Sequence, residues 1–383
     1  MRMEKGDVKK ASSLMMCAVF VVFLLFFAVG YFFFIPSVIY IPIIEQEQRH
    51  SLPELSLQSI TDGSFESGLE VYMCENITQR VELIALNYTV NKLLGKTSQK
   101  GIHITHDGYF IRDSHFTRDD AERYAEEVSN FADDCGVQVD LLIVPEAGIM
   151  LRDKLDTDIQ CRTFEEADMN VGYLSELVSD KVNVFYAKEP IQKVIDSGTQ
   201  AFYRTDHHWT TECAKSVFEW YAEKTSLTLP DIEYEIHSVP GFYGHIYSLL
   251  PMFFIESDEL HYYINPKGKY QVNCEGSSYT DSMIHYDQAA HNDKYRIFFG
   301  GDQKRIEITS NAPKGNIMVI HDSFGRSFLT FLADSCSDIC SIDLRQKNAD
   351  DKNAAQQCRE FGADRVLIIL YTESINDKRM GSF

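Results

Sequence analysis

Two short runs of the chain bring together side chains able to do nucleophilic chemistry. Asp206-His207-His208-Trp209 sets an acid, two imidazoles and a rigid aromatic side by side, and His321-Asp322-Ser323-Phe324-Gly325 offers a hydroxyl. A serine is a weak nucleophile at neutral pH unless an imidazole takes its proton, and that imidazole needs an acceptor to fix its tautomer. In an extended backbone, residues two apart share a face. Asp206 is therefore placed to orient His208, with His207 pointing the other way. Other roles compete for the same residues. Asp322 or Ser323 can serve as a helix cap, the Asp206 run can be a polar turn before a capped helix, and Asp206, His207 and His208 can hold a metal ion. Adjacent histidines rarely reach one ion and no further ligand cluster is evident, so no metal site is expected.

These runs need elements to position them. The apolar run GNIMVI (315–320) predicts a strand that delivers Ser323 to a helix over 324–333. A hydroxyl there stands at the carboxyl edge of a sheet, and its backbone N–H lies near a helix N-terminus, which favours developing negative charge. Further strands are expected at 339–344 and 364–371 with a helix at 349–361 between them, which makes a βαβαβ array with right-handed crossovers. Upstream, Thr117 caps a helix that Gly136 stops, VQVDLLIVPEAG reads as a strand running into a loop, and VNVFYA (182–187) as another strand. Helices are expected near 164–179 and 188–198, and Thr210 caps one with Ala214, Val217, Phe218 and Tyr221 on its apolar face. Such alternation implies an α/β fold with a parallel sheet covered by helices.

Asp107-Gly108 predicts a hairpin, with His103 and His106 as ordinary surface residues beside it. Between Gly241 and Phe299, thirteen of 59 residues are Phe or Tyr in short alternating runs, which reads as a β-rich insertion. Its aromatics either pack a small sheet or form a platform for stacking sugar rings.

The domain plan runs from a cytoplasmic tail (1–13) and a membrane anchor (14–44) through a stalk and membrane-proximal helix (45–100) to a catalytic domain (101–383). The anchor rests on an uncharged stretch from Leu14 to Ile44, longer than the ~20 residues that span a bilayer core and preceded by Lys5, Lys9 and Lys10. It implies a single-pass protein with its C-terminal domain extracellular. A helix from Asn76 to Leu94 is expected to end at Gly95. Net charge is −21, and the residues after 44 carry −23, which argues against a nucleic-acid partner. Eight cysteines besides Cys17 are too sparse for a disulfide scaffold, and none has zinc-site spacing.

The string YRTDHHWTTECAKSVFEWYAE resembles the signature of the DHHW family, which is related to the AlgX and AlgJ alginate O-acetylation proteins and has a variant SGNH-hydrolase (flavodoxin-like) fold. LPELSLQSITDGSFESGLEVY, HDGYFIRD, GFYGHIYS, DKYRIFFGGD and VIHDSFGRSFLTFLADSCSDICSIDLR carry the resemblance in the same order over most of the region after the anchor. It implies Ser323 as nucleophile, His208 as general base and Asp206 as its orienting carboxylate. Trp209, Tyr203 and Arg326 would lie toward substrate, and the Ser323 and Gly301 backbones toward an oxyanion. Asp302 departs from the Asn that often follows the paired glycines in the family, and a carboxylate binds an oxyanion badly.

The resulting expectation is a membrane-anchored extracellular serine O-acyltransferase or acetylesterase. It would act without a cofactor on a cell-surface polysaccharide, with a membrane-bound O-acyltransferase as a partner. The alternative is a non-catalytic scaffold or glycan-binding component of a surface-polymer assembly. The acidity of the chain favours a neutral or cationic polymer over an anionic one.

Overall fold

The computed structural model describes residues 5–33, 50–75, 80–156, 158–274, 280–348 and 351–383, with backbone alone at 5–11, 27–33 and 158–160. The chain divides into two compact units, residues 1–95 with 251–254 and the remainder.

The first unit is helical: α1 (Lys5–Phe33), α2 (Leu57–Thr61), α3 (Ser64–Glu75) and α4 (Arg80–Leu93). The expected stalk therefore folds into α2 and α3. Ser56 starts α2 through a reciprocal cap with Ser59, and Gly63 at φ 78° makes the break before α3. α4 ends as anticipated at Gly95, which takes φ 86°. The cap expected at Asn76 lies outside the described residues. Among the described residues no helix is long and apolar enough to cross a membrane. α1 runs through the first part of the expected anchor, and 34–44 lie outside the described residues. The anchor, and the single-pass placement that rested on it, is thus not supported.

The second unit begins with an antiparallel sheet of β1 (Ser98–Gln99), β2 (Ile102–Ile104) and β3 (Phe110–Arg112). Its hairpin turns at Gly108, φ 90°, as the Asp-Gly pair requires. His103 is buried, not on the surface, because its Nε2 pairs with Asp113 Oδ1 at 2.5 Å.

The main sheet is built from β4 (Gln138–Val144), β5 (Val182–Tyr186), β8 (Tyr270–Cys274), β9 (Arg305–Ser310), β10 (Asn316–His321), β11 (Asp338–Ile342) and β12 (Arg365–Tyr371). β6 (Glu235–Phe242) and β7 (Asp258–Ile264) pair separately. The order of the main sheet is β5-β4-β12-β10-β11-β9-β8, in which the first five strands are parallel, β9 runs antiparallel to β11, and β8 runs antiparallel to β9. A flavodoxin-like order would place the five parallel strands as 2-1-3-4-5. Here β12 enters between β4 and β10, giving 2-1-5-3-4. Val366 to Leu370 of β12 are all fully buried, and so continuous an apolar run belongs in the middle of a covered sheet.

The connecting helices are α5 (Arg118–Cys135), α6 (Ala147–Met150), α7 (Asp158–Leu177), α8 (Lys188–Asp196), α9 (Thr211–Thr225), α10 (His245–Leu249), α11 (Gly325–Leu332) and α12 (Ala354–Phe361). α5 packs with α7 and α12, whereas α9 packs with α8 and α11, so two helix groups serve a sheet whose central strands are buried on both faces. Thr117 and Thr210 cap α5 and α9 as expected. The region 241–299 is less β-rich than its alternation suggested. β8 joins the main sheet, 286–290 and 294–297 are 3-10 turns, and Phe242, Tyr247, Tyr295, Phe298 and Phe299 are core residues, which removes these five from any aromatic platform. All nine cysteines are free thiols.

Candidate active site

β10 is apolar and buried from Ile317 to Ile320, and it stands between β12 and β11, in register at Ile320 with Ile368 and Ile342. Its carboxyl end leads directly into Asp322 and Ser323. Asp322 fastens this loop: Oδ1 accepts from Phe324 N–H and Oδ2 from Tyr371 N–H, both at 2.8 Å. Asp322 is therefore a brace between β10 and β12. Gly325 is required where α11 begins, because a Cβ there would come within 2.4 Å of His321 Cβ. His321 itself is buried behind the loop. Its Nδ1 donates to Asp322 O at 2.5 Å, which leaves Nε2 to accept from the Ser341 hydroxyl at 2.6 Å.

The Asp206 run lies at the tip of a narrow loop. Phe202 and Trp209 form an antiparallel bridge, Tyr203 N–H donates to His208 O at 3.1 Å, and Thr210 N–H to Ala201 O at 2.9 Å. Inside the bridge the backbone bends and is not extended, because Asp206 Oδ1 accepts from His208 N–H at 2.9 Å, a local turn that aspartate makes readily. The bend turns His207 from its expected opposite face, and its ring packs beside that of His208 at 4.0 Å between centres.

The two runs meet. Ser323 Oγ and His208 Nε2 are 2.7 Å apart, and His208 Nδ1 and Asp206 Oδ1 are 2.5 Å apart. Since Asp206 only accepts, Nδ1 carries the proton and Nε2 is free to accept from the hydroxyl. All three residues are buried. Asp206 Oδ2 also accepts from His245 N–H at 2.6 Å. That approach depends on Gly244, where an added Cβ would fall 2.1 Å from Asp206 Cβ. Burial pushes the Asp206 carboxyl up, but the imidazoles of His208 and His207 and the bonds it accepts outweigh that and hold it well below the usual carboxylate range. Burial, with His208 alongside, pushes the pKa of the His207 imidazole well down.

Asp206, His207 and His208 each offer a ligand atom within 4.8 Å of the others. However, both nitrogens of His208 are engaged, one with Asp206 and one with Ser323, so the group lacks a free imidazole nitrogen there. Trp209 and Tyr203, expected toward substrate, are core residues. Trp209 donates its indole N–H to Ser327 Oγ at 3.0 Å. Arg326 is buried, with its guanidinium 4.9 Å above the Tyr295 ring and Nη2 3.5 Å from Asp302 Oδ1. Burial raises the Asp302 carboxyl, but Arg326 and Arg345 outweigh it and hold the pKa low. Ionised, Asp302 cannot donate to an oxyanion. Gly301 N–H donates to Phe298 O at 3.1 Å and is also spent. Among the described residues nothing accepts from Ser323 N–H, which keeps that donor for a reacting oxygen.

Sequence reasoning missed several residues that build this site. Tyr295 stacks on His208, and Ser327 joins Tyr295 to Trp209; only Ser327, one helical turn after Ser323, has a spacing that points to it. Two strands away at the same edge, Glu146 is buried and accepts from Ser114 Oγ at 2.7 Å. Burial, then Glu373, pushes its carboxyl up to about 8.

Residues 133–235 match the family described as SGNH hydrolase-like domain, acetyltransferase AlgX. No match is found among curated proteins. A DHHW family protein from Eubacterium siraeum has a similar structure, with TM-score 0.61 at 20% identity over 74% of this chain and 95% of that one. PatB1 of Bacillus cereus, solved with a sulfonyl adduct, aligns with TM-score 0.60 at 17% identity over 74% and 98%. These likenesses show a shared fold. None of the matched proteins speaks to a membrane-bound acyltransferase partner. The resemblance first seen in Asp206-His207-His208-Trp209 is borne out: the chain carries an AlgX-type SGNH hydrolase-like match over 133–235 and shares its fold with a DHHW family protein.

Proposed function

We propose that the chain is a serine O-acyltransferase or acetylesterase acting on a cell-envelope polysaccharide outside the cytoplasm. The observation that carries this reading is the unbroken line Ser323 Oγ, His208 Nε2, His208 Nδ1, Asp206 Oδ1, with separations of 2.7 and 2.5 Å at its two bonds. The AlgX acetyltransferase match supports an acyl group as cargo, and the polysaccharide acceptor is what the resemblance to the alginate O-acetylation proteins implies.

In the first half-reaction His208 Nε2 takes the Ser323 proton as Oγ adds to the acyl carbonyl. The carbonyl oxygen becomes an oxyanion facing Ser323 N–H. The tetrahedral adduct collapses, the bond to the leaving oxygen breaks, and His208 returns the proton to it, leaving an ester on Ser323. In the second half, a sugar hydroxyl or water gives its proton to His208 and attacks that ester, which releases acylated sugar or free acid and restores the serine. Asp206 stays ionised throughout and balances the imidazolium as it forms.

The test is intact-mass analysis after treatment with an arylsulfonyl fluoride. The reading expects one sulfonyl adduct, located on Ser323 by peptide mapping and missing from Ser323→Ala. Equal modification of the two proteins would overturn it.

A further inference from the structure

The His208 imidazole lies nearly flat on Tyr295, with ring centres 4.0 Å apart and planes inclined by 12°. Phe324 approaches the same imidazole at 4.9 Å and 44°. Tyr295 is itself held. Its ring is 1% exposed, and its hydroxyl lies 2.9 Å from Ser327 Oγ, where the Trp209 indole also donates at 3.0 Å. Burial keeps the Tyr295 hydroxyl a phenol by pushing its pKa well up. The guanidinium of Arg326 covers the ring from 4.9 Å.

The placement of these groups is informative. Trp209 directly follows the residue that accepts the serine proton, and Ser327 lies one turn of α11 after Ser323. One buried hydroxyl, Ser327 Oγ, thus ties the segment of His208 to the helix that follows the nucleophile. Tyr295, from a third segment, completes the bridge and lays its ring on the imidazole.

We propose that Tyr295 is a positioning residue that fixes the plane of the His208 ring, with the Trp209–Ser327 bridge as its mount. The Asp206 bond restrains one edge of the imidazole at Nδ1, but a single restraint leaves the ring free to rock through coupled changes of its two side-chain torsions. A face held by an aromatic plane stops that rocking and keeps Nε2 directed at Ser323 Oγ. Proton transfer requires hydrogen-bond reach and alignment, and a misplacement of about 1 Å costs roughly 10²-fold in rate. Tyr295 is 1% exposed and its hydroxyl is engaged with Ser327, so its effect is expected on turnover, with substrate affinity unchanged. The proposal rests on His208 as the base.

Steady-state hydrolysis of 4-nitrophenyl acetate by the full chain tests it. Tyr295→Leu is expected to lower kcat by roughly 10²-fold per mole of folded protein with KM within about twofold, and Tyr295→Phe, which keeps the plane, to regain about tenfold of that loss. A Leu variant within about threefold of the parent kcat, or a Phe variant no better than the Leu variant, would overturn the proposal. If Tyr295→Leu fails to fold, Tyr295→Met takes its place under the same thresholds. Ser323→Ala separates the two ideas. Retained hydrolysis in that variant defeats the serine mechanism, whereas a dead Ser323→Ala beside a fully active Tyr295→Leu defeats only the positioning role.

Discussion

Asp206 holds His208 twice with one oxygen: Oδ1 accepts from the backbone N–H at 2.9 Å and from ring Nδ1 at 2.5 Å. The first bond shapes the bend that carries the histidine, and the second selects its tautomer. Backbone and side chain of the base are therefore set by a single carboxylate.

Asp206→Asn separates these tasks. The amide oxygen still accepts from one of the two donors, but an amide that turns its NH₂ toward the ring favours the tautomer protonated on Nε2, which cannot take the serine proton. Turnover of 4-nitrophenyl acetate is expected to fall by roughly 10³- to 10⁴-fold with KM little changed. A loss below about tenfold would remove Asp206 from the mechanism.

Ser323→Ala removes the nucleophile and leaves its surroundings. Hydrolysis is expected to fall by roughly 10³-fold or more, and fluorophosphonate labelling to vanish, with the unfolding midpoint unchanged.

Gly244 lets His245 N–H reach Asp206 Oδ2, because no Cβ stands in the way. Gly244→Ala forces the two backbones apart, with an expected stability loss of about 1–3 kcal/mol and a fall in kcat of at least about tenfold. Urea denaturation and steady-state kinetics on the same preparation check both. Parent-like values in each would show that the backbones separate freely.

Glu146 makes stability depend on pH. Its folded pKa of about 8 lies above the ordinary 4.5. Between these values the unfolded chain has lost the proton that the folded chain keeps, so stability falls as pH rises through this window, by up to about 1.4 kcal/mol per unit. Glu146→Gln is expected to flatten the decline between pH 5 and pH 8 in urea unfolding. An unchanged slope would place the titration elsewhere.

The elements that deliver the site were legible because each has a local cause. The apolar run before Ser323, the caps at Thr117 and Thr210, and the Asp107-Gly108 turn all act within a few residues, and their strands and helices stand within a few positions of expectation. Ser323, His208 and Asp206 were recognisable by type and by the two-residue spacing of the acid and the base. The spacing was right for a different reason: a bend, and not an extended strand, brings Asp206 to His208. What escaped depends on distant parts of the chain. The insertion of β12 between β4 and β10 is decided by burial across the whole sheet, and Tyr295 meets His208 from 87 positions away in sequence. Trp209 and Tyr203 were misassigned because an aromatic beside a reactive histidine has the same sequence whether it faces ligand or core.

The position of β10 between two parallel neighbours has a consequence for how the site comes apart. Ser323 is tied to the buried central strands, whereas Asp206 and His208 ride on a bend joined to the rest of the fold by single bonds at scattered points, Phe110 N–H to Arg204 O, Tyr247 N–H to Thr205 O and the Trp209 indole to Ser327 Oγ. On gentle heating this bend is expected to exchange its amide hydrogens before the strands that hold Ser323 do. The expected mark is hydrolysis that fades below the melting transition and returns on cooling, the hydroxyl having kept its place while the imidazole docks again; loss that coincides with melting would show that the bend opens only with the sheet.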